Sequence, residues 1–380
     1  MIYADYNATA PLRPEARDAM LAALEIGANP SSVHGPGRAA RKVLEAARAQ
    51  VARAIGGILQ DLVFTSGGTE AASLAINGVV RKLDAKCTLI VSAIEHEAVV
   101  KNAGFAGVAV ETAYVTASGE LDLDALRQRL ENWDRDRSGT PILALMLANN
   151  ETGVIQPVAA ATQLIHDHDG LVFCDAVQGL GKIAVNVSLL GVDYLSLSAH
   201  KAGGPQGVGA LWIRSGAPLM PGLMGGGQEK SLRSGTENLS GIAGFGAAAE
   251  ASVAELGKMK RLESWRDALE DRLIAEAGVI VFGKSAPRLP NTSNFAIPGF
   301  RAETQVMAMD LGGVAVSSGS ACSSGKVKRS LVLAAMGASD DLAECAIRTS
   351  YGWKSTEQDL AQTADIWLEA ARRRAMKETA

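Results

Sequence analysis

The stretch Leu171–Lys201, LVFCDAVQGLGKIAVNVSLLGVDYLSLSAHK, contains two short apolar runs, Leu171–Cys174 and Asp193–Leu197. The first is continuously apolar and the second is strand-length with Tyr194, Leu195 and Leu197 as its apolar members, so both predict strands of a sheet covered on both sides. Each is also followed by a residue able to do chemistry, Asp175 after the first and Lys201 after the second. In an open parallel sheet ligands sit outside the carboxyl ends of the strands, so these two side chains are expected on one functional edge.

The same alternation extends outward. Ala40, Val43, Leu44, Ala47, Val51 and Ala54 repeat at helical spacing before a strand-like run at 61–65. Further strands are predicted at 89–92, 108–115, 142–147 and 208–213, most of them separated by helix-length segments such as 123–130 and 158–166. The pattern predicts an α/β fold with a mainly parallel seven-stranded sheet flanked by helices. A glycine-rich stretch from Gly222 through Gly227 to Gly235 interrupts it, and a long helical region from about 236 to 277 contains the candidate hinge. Strand-like runs at 291–297, 314–317 and 346–350 and a closing helix from 356 to about 377 predict a smaller α+β unit. The expected division is a large domain over 14–257 and a small one made of 1–13 and 258–380.

Bulk properties narrow the function. With 380 residues, 47% hydrophobic and 21% charged, the chain exceeds what one compact core fills. Net charge is −4 and the basic residues are interspersed with acids, which argues against nucleic acid as a partner. There is no signal-like start and no apolar run of membrane-span length, so no membrane association and a cytoplasmic location are expected. The four cysteines, Cys87, Cys174, Cys322 and Cys345, form no C-x-x-C pair, which argues against a metal site or a disulfide framework. Cys87, Cys174 and Cys345 lie in apolar runs and read as buried small hydrophobes.

The residues just past the predicted strands are Ser66-Gly67-Gly68-Thr69-Glu70, Glu95-His96-Glu97, Asn149-Asn150-Glu151-Thr152-Gly153, Asp175 with Gln178, and Ser198-Ala199-His200-Lys201. Alone, Gly68-Thr69 would be an ordinary helix start and His96 or Asp175 an ordinary cap or turn residue. No G-x-x-x-x-G-K-[ST] loop for a nucleotide triphosphate occurs. Together they describe a pyridoxal phosphate site: a Schiff-base lysine, an anion cradle at a helix start, and an aspartate whose charge keeps a pyridinium nitrogen protonated.

These segments, with Arg233-Ser234-Gly235-Thr236-Glu237-Asn238 and Ser317-Ser318-Gly319-Ser320-Ala321-Cys322, resemble the signatures of cysteine desulfurases. That group belongs to the class V pyridoxal-phosphate aminotransferases with the fold-type I architecture, and the Cys segment is similar to the nitrogen-fixation and iron–sulfur-assembly type. The resemblance implies that Lys201 carries the cofactor and moves the Cα proton, Asp175 pairs with the ring nitrogen, Gln178 meets the ring hydroxyl and His96 stacks on the ring and transfers protons. It places the phosphate on Gly68, Thr69, Ser198 and His200, with Thr236 contributed by the second subunit of a homodimer. Asn150 and Arg348 would bind the substrate carboxylate, Arg348 through its planar fork. Asn29 and His34 match a loop near the substrate entrance without a firm role.

Cys322 lies in Ser317–Gly325, a segment with almost no apolar anchor, from which mobility is expected. The resemblance implies that its thiolate takes sulfur from L-cysteine, leaving L-alanine, and passes the persulfide sulfur to an acceptor protein for iron–sulfur cluster or other sulfur-cofactor assembly. An ordinary thiol has a pKa of about 8.5, so the thiolate needs help, and Lys326, Lys328 and Arg329 could supply it or form a docking face. Competing readings are a selenocysteine lyase or sulfide-releasing C–S lyase of the same fold, and a non-catalytic regulatory or scaffold homologue.

Overall fold

The computed structural model describes residues 1–318 and 329–378. After the short strand β1 (Ile2–Tyr3) come seven strands, β2 (Leu62–Thr65), β3 (Cys87–Ser92), β4 (Ala109–Ala113), β5 (Thr140–Met146), β6 (Leu171–Asp175), β7 (Tyr194–Ser198) and β8 (Gly209–Ile213). These form one sheet in the order β2-β8-β7-β6-β5-β3-β4. Only β8 runs against its neighbours; β3 through β7 pair in parallel, and β2 shares their direction by being antiparallel to β8.

Both faces of the sheet are buried except along the edge strand β4, which is largely exposed. Along β6, Val172 and Cys174 enter one apolar cluster with Leu44, Phe64 and Phe245, while Leu171 and Phe173 enter the opposite one with Ile76 and Val79. In β5, Leu143 and Leu145 face the first cluster and Ile142 and Ala144 the second. This two-residue alternation between two dry faces explains why the strands read as continuous apolar runs. Helix Gly68–Lys82 covers one face, and helices Gly35–Ala54 and Leu239–Ala254 pack together on the other. Cys87, Cys174 and Cys345 are buried and unpaired, as their apolar settings predict.

A second sheet joins β9 (Ile280–Val281), β10 (Thr292–Ala296), β12 (Ser317–Ser318) and β13 (Ala346–Ser350) in the order β12-β13-β10-β9, while β11 (Val314–Ala315) pairs in parallel with β1. Its core holds Phe295, Ile347 and Trp367, with the Phe295 and Trp367 rings edge to face at 5.5 Å. Buried Trp367 donates its indole N–H to Gln305 Oε1 at 2.7 Å.

The structure corrects several boundaries. The run expected at 314–317 splits between two sheets, because β11 pairs with the N-terminal strand and β12 with β13. The strand expected at 108–115 is limited to Ala109–Ala113. The helical region expected from 236 is two helices, Leu239–Ala254 and Leu256–Ala277, that meet at Glu255, whose backbone (φ −100°, ψ 9°) leaves helical geometry. Asn238 caps the first by accepting from Gly241 N–H, which fixes its start after Thr236. Among the described residues no helix is long and apolar enough to cross a membrane.

Candidate active site

A pocket of about 430 Å³ opens at the carboxyl ends of the parallel strands. Asp175 is the last residue of β6, Ser198 the last of β7, and Lys201 ends a 3₁₀ turn directly after β7. Gly68 and Thr69 open the helix after β2, His96 caps the helix after β3, and Asn150 follows β5. All of these line the pocket together with Gln178, His200 and, from β13 of the other sheet, Arg348. Of the expected site residues, Thr236 does not line its own chain's pocket and is exposed, and Cys322 lies outside the described residues. Asn29 and His34 serve local turns: Asn29 Oδ1 accepts from Ser31 N–H, and His34 Nδ1 caps the helix Gly35–Ala54.

Lys201 Nζ donates to the backbone carbonyls of Asn7 at 2.6 Å and Ala8 at 2.8 Å. Burial, then the charge of Arg348, pushes its pKa down to about 8 against the pull of Asp5 and Asp175. An amine so placed releases its proton near neutrality, as a Schiff-base lysine must. Asp175 Oδ1 accepts from Val177 N–H at 3.0 Å and Ser196 Oγ at 3.1 Å, which fixes the carboxylate toward the pocket. Beside it Glu95 is buried. Its Oε1 takes Met146 N–H at 2.5 Å, its Oε2 has no partner, and burial plus the charge of Asp175 raise its pKa well above the carboxylate range. Burial, then the neighbouring Asp175 carboxylate, thus favours the protonated form of Glu95. His96 Nδ1 accepts from Ala98 N–H at 3.1 Å, so a neutral His96 ring carries its proton on Nε2.

The opposite end of the pocket suits an anion. The helix starting at Gly68 has Gly67 at its N-cap and no side-chain cap, which leaves first-turn N–H groups free beside Thr69, Ser198 and His200. A Cβ on Gly68 would lie 2.8 Å from Val177 Cγ2, and one on Gly209 would lie 2.5 Å from the Gly67 carbonyl carbon, so glycine is required on both sides of this turn. His200 is held neutral, its pKa pushed down to about 4 by burial and by Lys201 and Lys182. The uncapped helix start, the fixed carboxylate of Asp175 and the poised amine of Lys201 fit the phosphate, ring nitrogen and aldehyde of pyridoxal phosphate.

Arg348 donates to the Asn150 carbonyl at 2.9 Å and to Asp5 Oδ1 at 2.5 Å, while its buried Nε has no partner. An incoming carboxylate would take the place of Asp5 on this fork. Sequence reasoning gave no role to Asp5, Asn7, Glu95, Glu151 or Lys182, although Glu95 and Glu151 stand in the polar stretches read just past the strands. Of these, Lys182 carried a readable signal, since it stands alone between Gly181 and Ile183 in an otherwise apolar turn. Among the described residues no cluster of His, Cys, Asp or Glu could hold a metal ion.

Known proteins share this architecture over nearly the full length. The chain is 41% identical to "Cysteine desulfurase IscS" of Dictyoglomus turgidum over 96% of its length and 93% of that protein's. It is 37% identical to "Cysteine desulfurase IscS 1" of Archaeoglobus fulgidus, covering 96% of each. Among solved structures, a "NIFS-LIKE PROTEIN" superposes with a TM-score of 0.90 at 34% identity, covering 98% of this chain and 99% of that one. A NifS-like protein from Rickettsia africae superposes with a TM-score of 0.89 at 32% identity, with the same coverage. With residues 2–362 matching the family described as Aminotransferase class-V, the chain belongs to the class-V aminotransferase family.

Proposed function

We propose that this protein is a pyridoxal-phosphate-dependent cysteine desulfurase that converts L-cysteine to L-alanine and passes the sulfur, through a persulfide on Cys322, to an acceptor protein for iron–sulfur cluster or other sulfur-cofactor assembly. The observation that carries the reading is the convergence of Lys201, Asp175, His96 and an uncapped helix start in one pocket, with Arg348 at its rim. Bound pyridoxal phosphate supplies an electron sink for the bonds at Cα and Cβ of the amino acid.

The chain's own groups do the rest. Arg348 and the Asn150 side chain hold the substrate carboxylate, which orients the Cα–H bond toward Lys201 Nζ. Lys201, with its lowered pKa, takes and returns that proton at Nζ. Asp175 holds a proton on the ring nitrogen, and Gly68, Thr69, Ser198 and His200 bind the phosphate. His96 Nε2 delivers or removes a proton at the substrate. The Cys322 thiolate attacks the substrate sulfur: an S–S bond forms, the C–S bond breaks, and the carbon fragment keeps the electron pair, gains a proton and leaves as L-alanine.

The reading brings with it a cytoplasmic homodimer in which Thr236 of one protomer reaches the partner's phosphate site. Support comes from Thr236 being exposed and absent from its own pocket. It also divides the chain into a cofactor-binding domain over 14–257 and a smaller domain of 1–13 and 258–380 that carries Arg348 and Cys322. The test is to incubate the cofactor-loaded protein with L-cysteine and a thiol acceptor and to quantify alanine. Wild type should release alanine, Lys201→Ala should release none, and Cys322→Ser should lose sulfur transfer while keeping the bound cofactor. Full sulfur release by Cys322→Ser would overturn the persulfide route.

A further inference from the structure

Lys182 is a buried lysine behind the pocket wall, bonded to the pocket-lining residues Asn7 and Gln178 and with no part in the chemistry above. It lies four residues after Gln178 in the turn that follows β6, and it is buried. Its Nζ donates to Asn7 Oδ1 at 2.8 Å and to Gln178 Oε1. Burial, then the positive charges of Lys201 and Arg348, holds its pKa well below that of an ordinary lysine. Two acceptors, Asn7 Oδ1 and Gln178 Oε1, thus take N–H groups of this amine.

The consequence falls on Gln178. The two ends of its amide have nearly the same shape, so only their partners decide which way it points. Here Oε1 is taken by Lys182, and Nε2 donates to the Asn7 carbonyl at 3.0 Å, the same oxygen that accepts from Lys201 Nζ. Asn7 is held in turn by Nδ2 donating to Thr292 Oγ1 at 2.9 Å and by its N–H donating to Ser350 Oγ at 2.9 Å. Both anchors of the Gln178 amide are therefore rigid, and Lys182 is the one that engages its oxygen.

We propose that Lys182 is a positioning residue: by holding Gln178 Oε1 it turns the N–H donor of that amide toward the cofactor ring, and so lowers the proton affinity of the linkage between Lys201 and the cofactor. The inference rests on the pyridoxal phosphate reading of the pocket. A donor facing the ring hydroxyl favours its ionised form, whereas a flipped amide would present a carbonyl oxygen and disfavour it. The other groups that face Lys201 are Asp5 from the N-terminal segment, Asp175 from β6, His200 beside it and Arg348 from β13. A neutral replacement at Lys182 leaves all four in place.

The test is a pH titration of the visible absorbance of the resting, cofactor-loaded protein. Lys182→Met should move the midpoint up by about half a unit to one unit, the worth of one hydrogen bond expressed in pH. Lys182→Gln keeps an N–H donor but is one bond too short to hold both acceptors, so it should show a smaller upward move, and it carries the test if the Met variant does not fold. A wild type that stays colourless after incubation with pyridoxal phosphate would overturn the cofactor reading and this inference with it. A wild type that titrates, beside folded variants with an unchanged or lowered midpoint, would overturn the role of Lys182 and leave the cofactor reading standing.

Discussion

Glu151 offers a direct test of how the pocket rim is held together. It follows Asn150, is buried, and its Oε2 accepts from Ser330 Oγ at 2.6 Å; Ser330 caps the helix Leu331–Ala335. Burial raises its pKa from 4.5 to about 7, against the opposing pull of the Ser330 hydrogen bond and of Arg348. That is 2.5 pH units, or about 3 kcal/mol of preference for the protonated form in the folded protein. The folded value lies above the unfolded one, so the stabilising contribution is fully present below pH 4.5 and is lost as pH rises through about 7. Glu151→Gln keeps the shape and an acceptor for Ser330 but cannot ionise. Between pH 5 and pH 8 the wild type should therefore lose ~2.5 kcal/mol relative to the variant. With a urea slope of ~3 kcal/mol/M, the gap between their unfolding midpoints should widen by ~0.8 M. The assay is urea unfolding at fixed cofactor concentration at several pH values across this window, so that contributions common to both proteins, Glu95 included, cancel. Parallel pH profiles for the two would refute the reasoning.

Other outcomes follow from single contacts. Arg48 forks onto Glu229 at 2.6 and 2.8 Å with both side chains buried, and Glu229, Lys230 and Ser231 all have left-handed backbone (φ 41°, 59° and 61°) just before the Thr236 segment. Arg48→Met strands a buried carboxylate and should cost about 3–5 kcal/mol in denaturant unfolding; a loss below about 1 kcal/mol would contradict this. Gly68→Ala places a Cβ 2.8 Å from Val177 Cγ2, so cofactor affinity read by absorbance on reconstitution should fall about 10- to 100-fold through overpacking of ~1–3 kcal/mol. Arg348→Lys loses the planar fork, and initial rates should show KM for L-cysteine rising about 10- to 100-fold with a smaller change in kcat.

The strands and their polar ends were legible because a strand buried on both faces writes a continuous apolar run, as Leu171–Cys174 does, and the residue after it must turn. Direction was not legible. β8 is antiparallel yet as dry as its parallel neighbours, so its composition carries no mark of its orientation. The pieces 314–315 and 317–318 look like one strand because pairing with β1 or β13 is decided by partners distant in sequence. The same limit hid Asn7 and Lys182. Asn7 enters the pocket, and Lys182 the layer behind it, only when the N-terminal segment crosses to the turn after β6, where Asn7 meets Lys182, Gln178 and Lys201. Asp175 and Lys201 could be assigned because local strand ends place them, whereas Arg348 and Thr236 were assigned through motif resemblance alone.

The central claim is tested most directly by mass spectrometry, under nonreducing conditions, of the cofactor-loaded protein after treatment with L-cysteine, with alanine quantified in the same sample. The account predicts a gain of one sulfur on the peptide containing Cys322 and a matching amount of alanine. Alanine without that mass gain would contradict the persulfide and point to a sulfide-releasing lyase; neither product would contradict L-cysteine as the substrate.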